Sequence, residues 1–196
     1  MRAEAVDRRV RKTRKQLREC LIALLKEKKV QDITVRELTE MADLNRGTFY
    51  LHYKDVFDLL EKTEAELIND FNELVMKHNM AELQQNPASI FNEIYQLAYD
   101  NADLLEILLG ENGDMNFSSK LRQLIRDKCL KEWMETFRSE NPDTFDAFLS
   151  FIVSGCVGLV NYWLANGLTE TPKQLAAMTE RFITQGIRVL EKEPAL

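Results

Sequence analysis

The sequence predicts an all-α protein, on three observations. The 196-residue chain contains only seven glycines and four prolines, so few of its residues favour tight turns. Its apolar residues recur at intervals of three and four, and no segment alternates as a strand does. Asn86-Pro87, Asn141-Pro142 and Thr171-Pro172 each join a capping residue to a proline suited to the first helical position, and Gln174 adds a capping box at Thr171. The expected fold is therefore a set of long helices with defined starts.

Composition and cysteine usage exclude several classes of protein. The apolar fraction of 45% and the charged fraction of 30% are typical of a globular protein. Cys20, Cys129 and Cys156 lie far apart and fit neither a disulfide framework nor a metal knuckle. The N-terminus is charged and lacks the apolar core of a signal peptide. We expect a cytoplasmic protein that needs no metal and no cofactor.

Charge is distributed unevenly along the chain. The net charge is −6, yet residues 1–60 hold 14 Lys and Arg against 10 Asp and Glu, a net charge of +4. The remaining residues hold 12 Lys and Arg against 22 Asp and Glu. The most basic stretch is RRVRKTRKQLR, at 8–18. A solvated surface is the ordinary explanation of such a stretch. This stretch, however, directly precedes the motif at about residues 34–53 described below, and that position favours an anionic partner.

The first sixty residues predict one long helix followed by two short ones. The second helix, TVRELTEMA at 34–42, begins with a capping box. In this motif Thr34 accepts a hydrogen bond from the backbone N–H of Glu37, and Glu37 reaches back to the N–H of Thr34. The first helix has one apolar face: Leu17, Leu21, Leu24 and Leu25.

A tight link from Asp43 to Asn45 connects the two short helices. Asp and Asn tolerate left-handed backbone, and Asn45 is a favourable N-cap for the helix that follows. That helix is expected at about 46–52, and a long helix at about 55–78. The long helix has the following apolar stripe: Val56, Leu59, Leu60, Thr63, Leu67, Phe71, Leu74 and Val75.

Two short helices joined by about three residues, behind a longer helix, are typical of a helix-turn-helix motif, here at about 34–53. The second helix of such a motif lies in the major groove of DNA. Arg46 suits a bidentate contact with guanine, and Thr48 suits a base edge or a thymine methyl group. Tyr50 and His52 can donate hydrogen bonds to phosphate oxygens.

The neighbouring residues complete this interpretation. Gly47 would let the start of the helix approach the duplex closely, and Lys54 would add a cationic contact with phosphate. Phe49 and Tyr53 lie four residues apart, so they share a face that would anchor the helix on the long helices around it. Leu51 could lie on either side.

The first short helix offers a second contact with the DNA backbone. The N–H groups at its start, near Thr34, can bind phosphate, and Arg36 can add a further contact. Asn45, at the start of the second short helix, belongs to the same predicted contact set. The basic arm supplies attraction that is independent of base sequence.

The stretch ITVRELTEMADLNRGTFYLHYKDVFDLL resembles the DNA-binding domain of the TetR/AcrR family of bacterial transcriptional regulators. The resemblance covers about residues 10–60. It implies a homodimer in which residues 8–68 form the DNA-binding domain and residues 69–196 form a regulatory and dimerisation domain. It also implies binding to a double-stranded DNA operator, and most often a repressor that is released by a small-molecule effector bound among the central helices.

The sequence departs from the family pattern at a few positions. Asp43 replaces a usual glycine, Leu44 replaces a small apolar residue, and Asn45 replaces a serine cap. Val56 stands where the family often has a lysine. The lysine of this chain is Lys54, two places earlier, so the resemblance leaves open which side chain makes the phosphate contact at the start of the long helix.

The stretch FLSFIVSGCVGLVNYWL, at 148–164, contains no charged residue. A membrane span is one interpretation, but the stretch is shorter than the roughly 20 residues a bilayer requires, and no basic cluster flanks it. A helix that is apolar all round otherwise needs cover on every side. This favours a helix that packs on its own core and on a second copy of the chain. The expected interface also includes the last helix and has these members: Phe151, Gly155, Gly158, Tyr162, Phe182 and Val189.

The central helices supply candidates for an effector pocket, and these are aromatic or polar-tipped: Asn92, Tyr95, Tyr99, Trp133 and Phe137. Core packing is the alternative role for these side chains. A domain that binds a partner protein is the alternative to one that binds a small molecule. An enzyme is not expected, because no nucleophile stands beside a base and no metal cluster or phosphate-binding glycine loop is present.

Overall fold

The computed structural model describes residues 2–78, 87–110, 115–130 and 142–191, which are helical with short links. No strand occurs within these ranges, as the sequence predicts. The chain divides into two compact units, Met1–Leu67 and Ile68–Leu196. The long fourth helix contributes residues to both units.

The helices of the first unit are α1 (Arg2–Leu25), α2 (Val35–Met41), α3 (Arg46–Tyr50) and the first part of α4 (Val56–Met76). A short 3₁₀ turn, Val30–Asp32, precedes α2. The helices of the second unit that follow α4 are α5 (Pro87–Asp100), α6 (Ala102–Leu109), α7 (Met115–Leu124), α8 (Pro142–Ala165) and α9 (Pro172–Glu191). A π-helical segment, Ile125–Leu130, continues α7.

One apolar core holds the first unit together. Leu17 and Leu21 of α1, Leu38 of α2, Phe49 of α3 and Leu59 of α4 are all completely buried within it. The predicted apolar face of α1 and the predicted stripe of α4 are thus confirmed as core-forming surfaces. Because every helix of the unit contributes a large side chain, the orientation of α3 is fixed by packing.

Local hydrogen bonds fix the ends of α2 as the sequence predicts. The Glu37 N–H donates to Thr34 Oγ1 at 3.2 Å, and the Thr34 N–H donates to Glu37 Oε2 at 3.1 Å, which completes the capping box. Asp43 has φ 51°, a left-handed conformation that an aspartate tolerates better than most residues. The turn between α2 and α3 therefore forms without glycine.

The helix α3 is shorter than the sequence predicts, ending at Tyr50 rather than near residue 52. The His52 N–H donates to the Phe49 carbonyl at 2.9 Å, so the chain tightens into a three-residue turn after Tyr50. The long helix α4 spans Val56–Met76, which lies within the predicted range of about 55–78.

In the second unit, α9 packs extensively against α5, and α8 packs against α6 and α9. Trp163 of α8 is completely buried and donates through Nε1 to the carbonyl of Glu170 at 2.9 Å. This bond ties α8 to the turn before α9, where Gly167 and Leu168 have φ values of 70° and 57°. The α8–α9 turn is therefore held by a buried indole.

The predicted helix starts in the second unit are confirmed at three prolines. The helices α5, α8 and α9 begin at Pro87, Pro142 and Pro172. Before α9, the predicted capping box also forms, because the Gln174 N–H donates to Thr171 Oγ1 at 3.3 Å and the Thr171 N–H donates to Gln174 Oε1 at 2.8 Å.

One segment of α8, Phe145–Ala165, is long and apolar enough to cross a bilayer by length and composition alone. Core helices of soluble proteins meet the same criterion. Buried residues such as Leu149, Val153 and Val157 pack this helix against the second unit. Its opposite side contains exposed residues, which are described below.

We predict that Phe49→Ala lowers the free energy of unfolding by about 3–5 kcal/mol, because it opens a cavity in the core of the first unit. Urea unfolding of the full chain, followed by circular dichroism, measures the effect. Tyr50→Ala is the matched control: Tyr50 is 58% exposed, so its loss should change stability by less than about 0.5 kcal/mol. Equal effects of the two substitutions would contradict this account of how α3 is anchored.

Candidate functional site

The N-terminus of α3 is held by Asn45. Its side-chain Oδ1 accepts from the Thr48 N–H at 2.7 Å and from the Thr48 hydroxyl at 3.1 Å. A Cβ at Gly47 would lie 3.2 Å from the same oxygen, so glycine leaves room for the cap. Thr48 and Asn45 thus serve the helix start itself, and Gly47 has a local role that the sequence interpretation did not include.

The outer surface of α3 carries exposed side chains that differ in chemistry. Arg46 is exposed, Tyr50 is 58% exposed and Leu51 is 80% exposed. Phe49, between them, is completely buried and meets the Tyr50 ring edge-on at a centroid distance of 5.5 Å. The face opposite Phe49 is therefore free to meet another molecule, and Leu51, whose position the sequence left open, belongs to it.

His52 lies just after α3 and is only partly exposed. Burial lowers the pKa of its imidazole below the ordinary value, and the positive charge of Arg14 lowers it further. The neutral imidazole that results carries one N–H donor. Its ring lies near that of Tyr53, with centroids 6.2 Å apart.

Lys62, which the sequence interpretation missed, joins the end of α3 to the start of α4. Its Nζ donates to the His52 carbonyl at 3.3 Å and to Asp58 Oδ2 at 2.8 Å. It also lies 5.3 Å from the centroid of the Tyr53 ring. The spacing of Asp58 and Lys62, four residues apart, could have revealed this pair.

Lys54 is exposed just before the start of α4, and a hydrogen bond fixes its backbone. The Lys54 N–H donates to Asp58 Oδ2 at 2.9 Å. The hydrogen bond from Lys62 and then the one from Lys54 hold the pKa of Asp58 below its ordinary value. The cationic side chain of Lys54 thus extends from an ordered turn beside α3.

The predicted contacts on α2 already have partners within the protein. The Thr34 hydroxyl takes part in the capping box with Glu37, whose carboxylate also contacts Lys28. Arg36 Nε donates to Glu40 Oε1 at 2.6 Å, and this hydrogen bond raises the pKa of the guanidinium. Both groups of this Arg36 pair are solvent-exposed, so exchange of Glu40 for a phosphate would cost little.

The basic arm is part of α1, the helix whose apolar face packs in the same core as Phe49 of α3. Its exposed cationic side chains are Arg8, Arg9, Arg11, Lys12, Arg14 and Lys15. Leu17 and Leu21, further along the same helix, are completely buried in the core of the first unit. One helix thus joins a basic surface to the core that positions α3.

A small apolar cavity of about 60 Å³ lies within the second unit. Among the predicted pocket residues only Tyr95 lines it; Asn92 and Tyr99 are not part of its wall, and Trp133 and Phe137 lie outside the described residues. The cavity is lined by Phe71, Val75, Phe91, Ile94, Tyr95, Ala98, Leu105, Leu121, Leu124, Ile125, Cys156, Val157 and Val160.

This wall contains two polar groups: the Tyr95 hydroxyl, which is hydrogen-bonded within the protein, and the Cys156 thiol, which is uncharged. Thr179 donates its hydroxyl proton to the Leu175 carbonyl at 3.0 Å, so the Tyr95 hydroxyl donates to Thr179 Oγ1 at 2.6 Å. Burial raises the pKa of the Cys156 thiol to about 12, which keeps it protonated at neutral pH. No charged side chain is present in the described wall of the cavity.

Tyr99 instead lies at the surface, 47% exposed, with its ring 6.1 Å from that of Trp163. Tyr95, one helical turn earlier on α5, contacts the same indole edge-on at 5.8 Å. The two tyrosines therefore differ in burial although their sequence context is similar.

The outer side of α8 and part of α9 expose large apolar groups. Phe151 is 72% exposed, Tyr162 is 55% exposed and Phe182 is 59% exposed. Gly155 and Gly158 lie between Phe151 and Tyr162, and a Cβ at either would meet no atom within 4 Å. Val189 belongs to α9, but its side chain is outside the described part of the structure.

Comparison with known proteins identifies the family. Residues 85–185, more than half of the chain, match the family model TetR_C_8, described as a transcriptional regulator C-terminal region. A stretch of this chain is similar to YxbF of Bacillus subtilis (strain 168), an uncharacterised HTH-type transcriptional regulator. The two are 41% identical over 58 residues, which is 30% of this chain and only 14% of that protein.

Two solved structures illustrate the shared fold. A TetR transcriptional regulator from Streptococcus agalactiae 2603V has a TM-score of 0.64 and 21% identity, over 92% of this chain and 98% of that one. The regulator FadR from Bacillus subtilis, solved in complex with stearoyl-CoA, has a TM-score of 0.62 and 16% identity, over 88% of this chain and 98% of that one. These relatives are regulators rather than enzymes. The chain belongs to the TetR family of DNA-binding transcriptional regulators.

Proposed function

We propose that this regulator binds an operator as a homodimer, with α3 of each subunit in the major groove, and that it acts as a repressor released by a neutral, apolar ligand. The observation that supports DNA contact most directly is the exposed surface of α3, with Leu51 opposite the buried Phe49 and with Arg46 and Tyr50 on one flank. A helix held rigidly by its core and capped at its start presents these groups in one fixed arrangement.

The chemistry of the exposed residues divides into base contacts and backbone contacts. Arg46 is the candidate for a bidentate hydrogen bond to guanine, the most frequent specific contact in the major groove. Lys54 and Tyr50 are candidates for phosphate, as are Arg36 and the neutral imidazole of His52. The basic arm adds attraction that acts on any duplex and weakens with salt.

The exposed apolar side of α8 supports the homodimer. A helix that is buried on one side and exposes Phe151 and Tyr162 on the other needs a partner for that second side. Gly155 and Gly158 would let the backbone of a second copy approach closely. Two such subunits would present two copies of α3 to the two half-sites of an operator.

The cavity in the second unit supports the ligand and indicates its class. Its wall is apolar, the Tyr95 hydroxyl is hydrogen-bonded to Thr179, and the Cys156 thiol is protonated. An ionised ligand would lose its hydration there without gaining a partner, so a neutral molecule is favoured. The cavity is smaller than the roughly 300–1,000 Å³ of typical ligand pockets, so binding must widen it. A slender hydrocarbon chain needs the least widening, and FadR of known structure holds stearoyl-CoA.

Widening of the cavity would act directly on α4. Phe71 and Val75 of this helix line the cavity, while Val56 and Leu59 of the same helix belong to the core that carries α3. A ligand that prefers the widened state shifts the population toward it by the ratio of its affinities for the two states. Release of DNA follows if the widened state binds the operator less tightly.

We predict that Arg46→Ala lowers discrimination between operator and mismatched duplex by about 1–3 kcal/mol, because a base contact is lost. Lys54→Ala should instead weaken binding to all duplexes alike and reduce the salt slope by about one unit, because a phosphate contact is lost. Fluorescence anisotropy on a selected operator, measured over a series of salt concentrations, separates these effects. Lys173→Ala, an exposed cation on α9, is the control. An unchanged salt slope in Lys54→Ala would refute the phosphate assignment.

We predict that Gly158→Glu converts the dimer to a monomer, since it places a charge where a second backbone should pack. Sedimentation velocity measures the oligomeric state. Ala65→Glu, at an exposed position of α4, is the control and should stay dimeric. A Gly158→Glu protein that sediments as a dimer would remove α8 from the interface.

We predict that 1-decanol raises the melting temperature by about 5–10 °C at a concentration near 100 times its dissociation constant. Decanoate and decylammonium, which have the same chain length but a charge, should give no shift at equal concentration. Ala98→Leu narrows the cavity and should abolish the decanol shift, whereas Ala177→Leu, on the exposed side of α9, should not. Stabilisation by decanoate or decylammonium equal to that by decanol would contradict the neutral ligand class. If no probe stabilises the protein and a second protein co-purifies with it, the alternative of a partner-binding domain is supported instead.

A further inference from the structure

The outer face of α3 has an apolar centre. Phe49 points into the core, so Gly47 and Leu51, two residues before and after it, lie on the opposite side of the helix. They are four residues apart and form one row along the helix. Gly47 has no side chain, so Leu51 alone projects from this row, and it is 80% exposed.

Polar groups flank the Leu51 row on both sides. Arg46 and Tyr50, four residues apart, form the row on one side. Thr48 lies on the other side, and His52 follows α3 in the three-residue turn. The centre of the surface that would enter the groove is thus a branched hydrocarbon, while hydrogen-bonding groups stand at its edges.

The size of α3 allows Leu51 to reach base edges. Its five residues, Arg46–Tyr50, span about 7.5 Å, less than the roughly 12 Å width of the major groove, so Leu51, the next residue, can also lie inside. The exposed cations Arg46 and Lys54 beside Leu51 favour a polyanionic partner over an apolar protein surface. An isolated exposed leucine elsewhere on a protein needs no explanation, but this one lies at the centre of the DNA-binding face.

The side chain of Leu51 can form no hydrogen bond, so its partner in the groove must be apolar. Most of the base edge in the major groove consists of hydrogen-bond donors and acceptors, and the C5-methyl group of thymine is its most prominent apolar group. A donor or acceptor covered by leucine would lose water and gain no partner. We propose that Leu51 recognises a thymine methyl group in each half-site of the operator. This inference rests on the proposed insertion of α3 into the major groove, and it specifies one base of the operator.

Removal of the methyl group from DNA tests the proposal. Each thymine of a selected operator is replaced in turn by deoxyuridine, which pairs identically and lacks only the C5-methyl group. For the wild-type protein, we expect one position in each half-site to weaken binding about fourfold, the equivalent of one methyl-sized group left unburied. For Leu51→Ala, the same replacement should change the dissociation constant by less than about 1.5-fold, because the leucine that would lose the contact is already absent.

Two further variants control the experiment. Leu51→Met keeps an apolar side chain of similar volume and should retain the sensitivity to deoxyuridine. Phe57→Ala removes another exposed apolar group, 55% exposed on α4, and should leave that sensitivity unchanged. Thermal unfolding by circular dichroism verifies that each variant is folded, which is expected because Leu51 and Phe57 lie at the surface.

The possible outcomes separate this inference from the proposed function. If wild-type protein selects no duplex, the proposed function and the inference both fail. If an operator is found but every deoxyuridine replacement affects wild type and Leu51→Ala equally, the thymine contact is refuted while DNA binding stands. A replacement that weakens binding by wild type, Leu51→Met and Phe57→Ala but not by Leu51→Ala establishes Leu51 as a specificity-determining residue.

Discussion

Burial of Phe49 is the interaction on which the proposed DNA-binding surface depends. Its ring is completely buried in the core formed by α1, α2 and α4, and this contact fixes the rotation of α3 about its own axis. Because side chains on a helix are separated by fixed angles, fixing one residue fixes the directions of all the others. Arg46, Tyr50 and Leu51 are therefore presented to the outside without any contact of their own to hold the helix.

A helix of five residues would not persist alone in water, because nucleation costs more than so few hydrogen bonds return. Here hydrogen bonds at both ends support it. Asn45 accepts from the Thr48 N–H at the start, and Lys62 binds the His52 carbonyl just beyond the end. One backbone N–H at the start of this short helix and one carbonyl just beyond its end are thus satisfied by side chains of the protein itself, which leaves the exposed face available for recognition.

In the second unit, the helix α8 has apolar surface on both its inner and its outer side. The stretch 148–164 of α8 carries no charged residue, and its large apolar side chains need cover on more than one side. On the inner side, Cys156, Val157 and Val160 line a cavity that the packed helices leave incompletely filled. On the outer side, Phe151 and Tyr162 are exposed. The same lack of charged residues that suggests a membrane span in the sequence thus agrees with a helix between the core of its own chain and the subunit interface proposed above.

The sequence by itself determined the features that depend on residues close together in the chain: the capping boxes at Thr34 and Thr171, the left-handed Asp43 and the Asn45 cap. It also identified Phe49 as an anchor, because a spacing of three or four residues determines which side chains share a face. Only the tertiary structure decided that Leu51 is exposed, that Tyr95 lines the cavity while Tyr99 lies at the surface, and that Lys62 supports the end of α3. These outcomes depend on which distant helices cover a given face, and local periodicity carries no information about that cover.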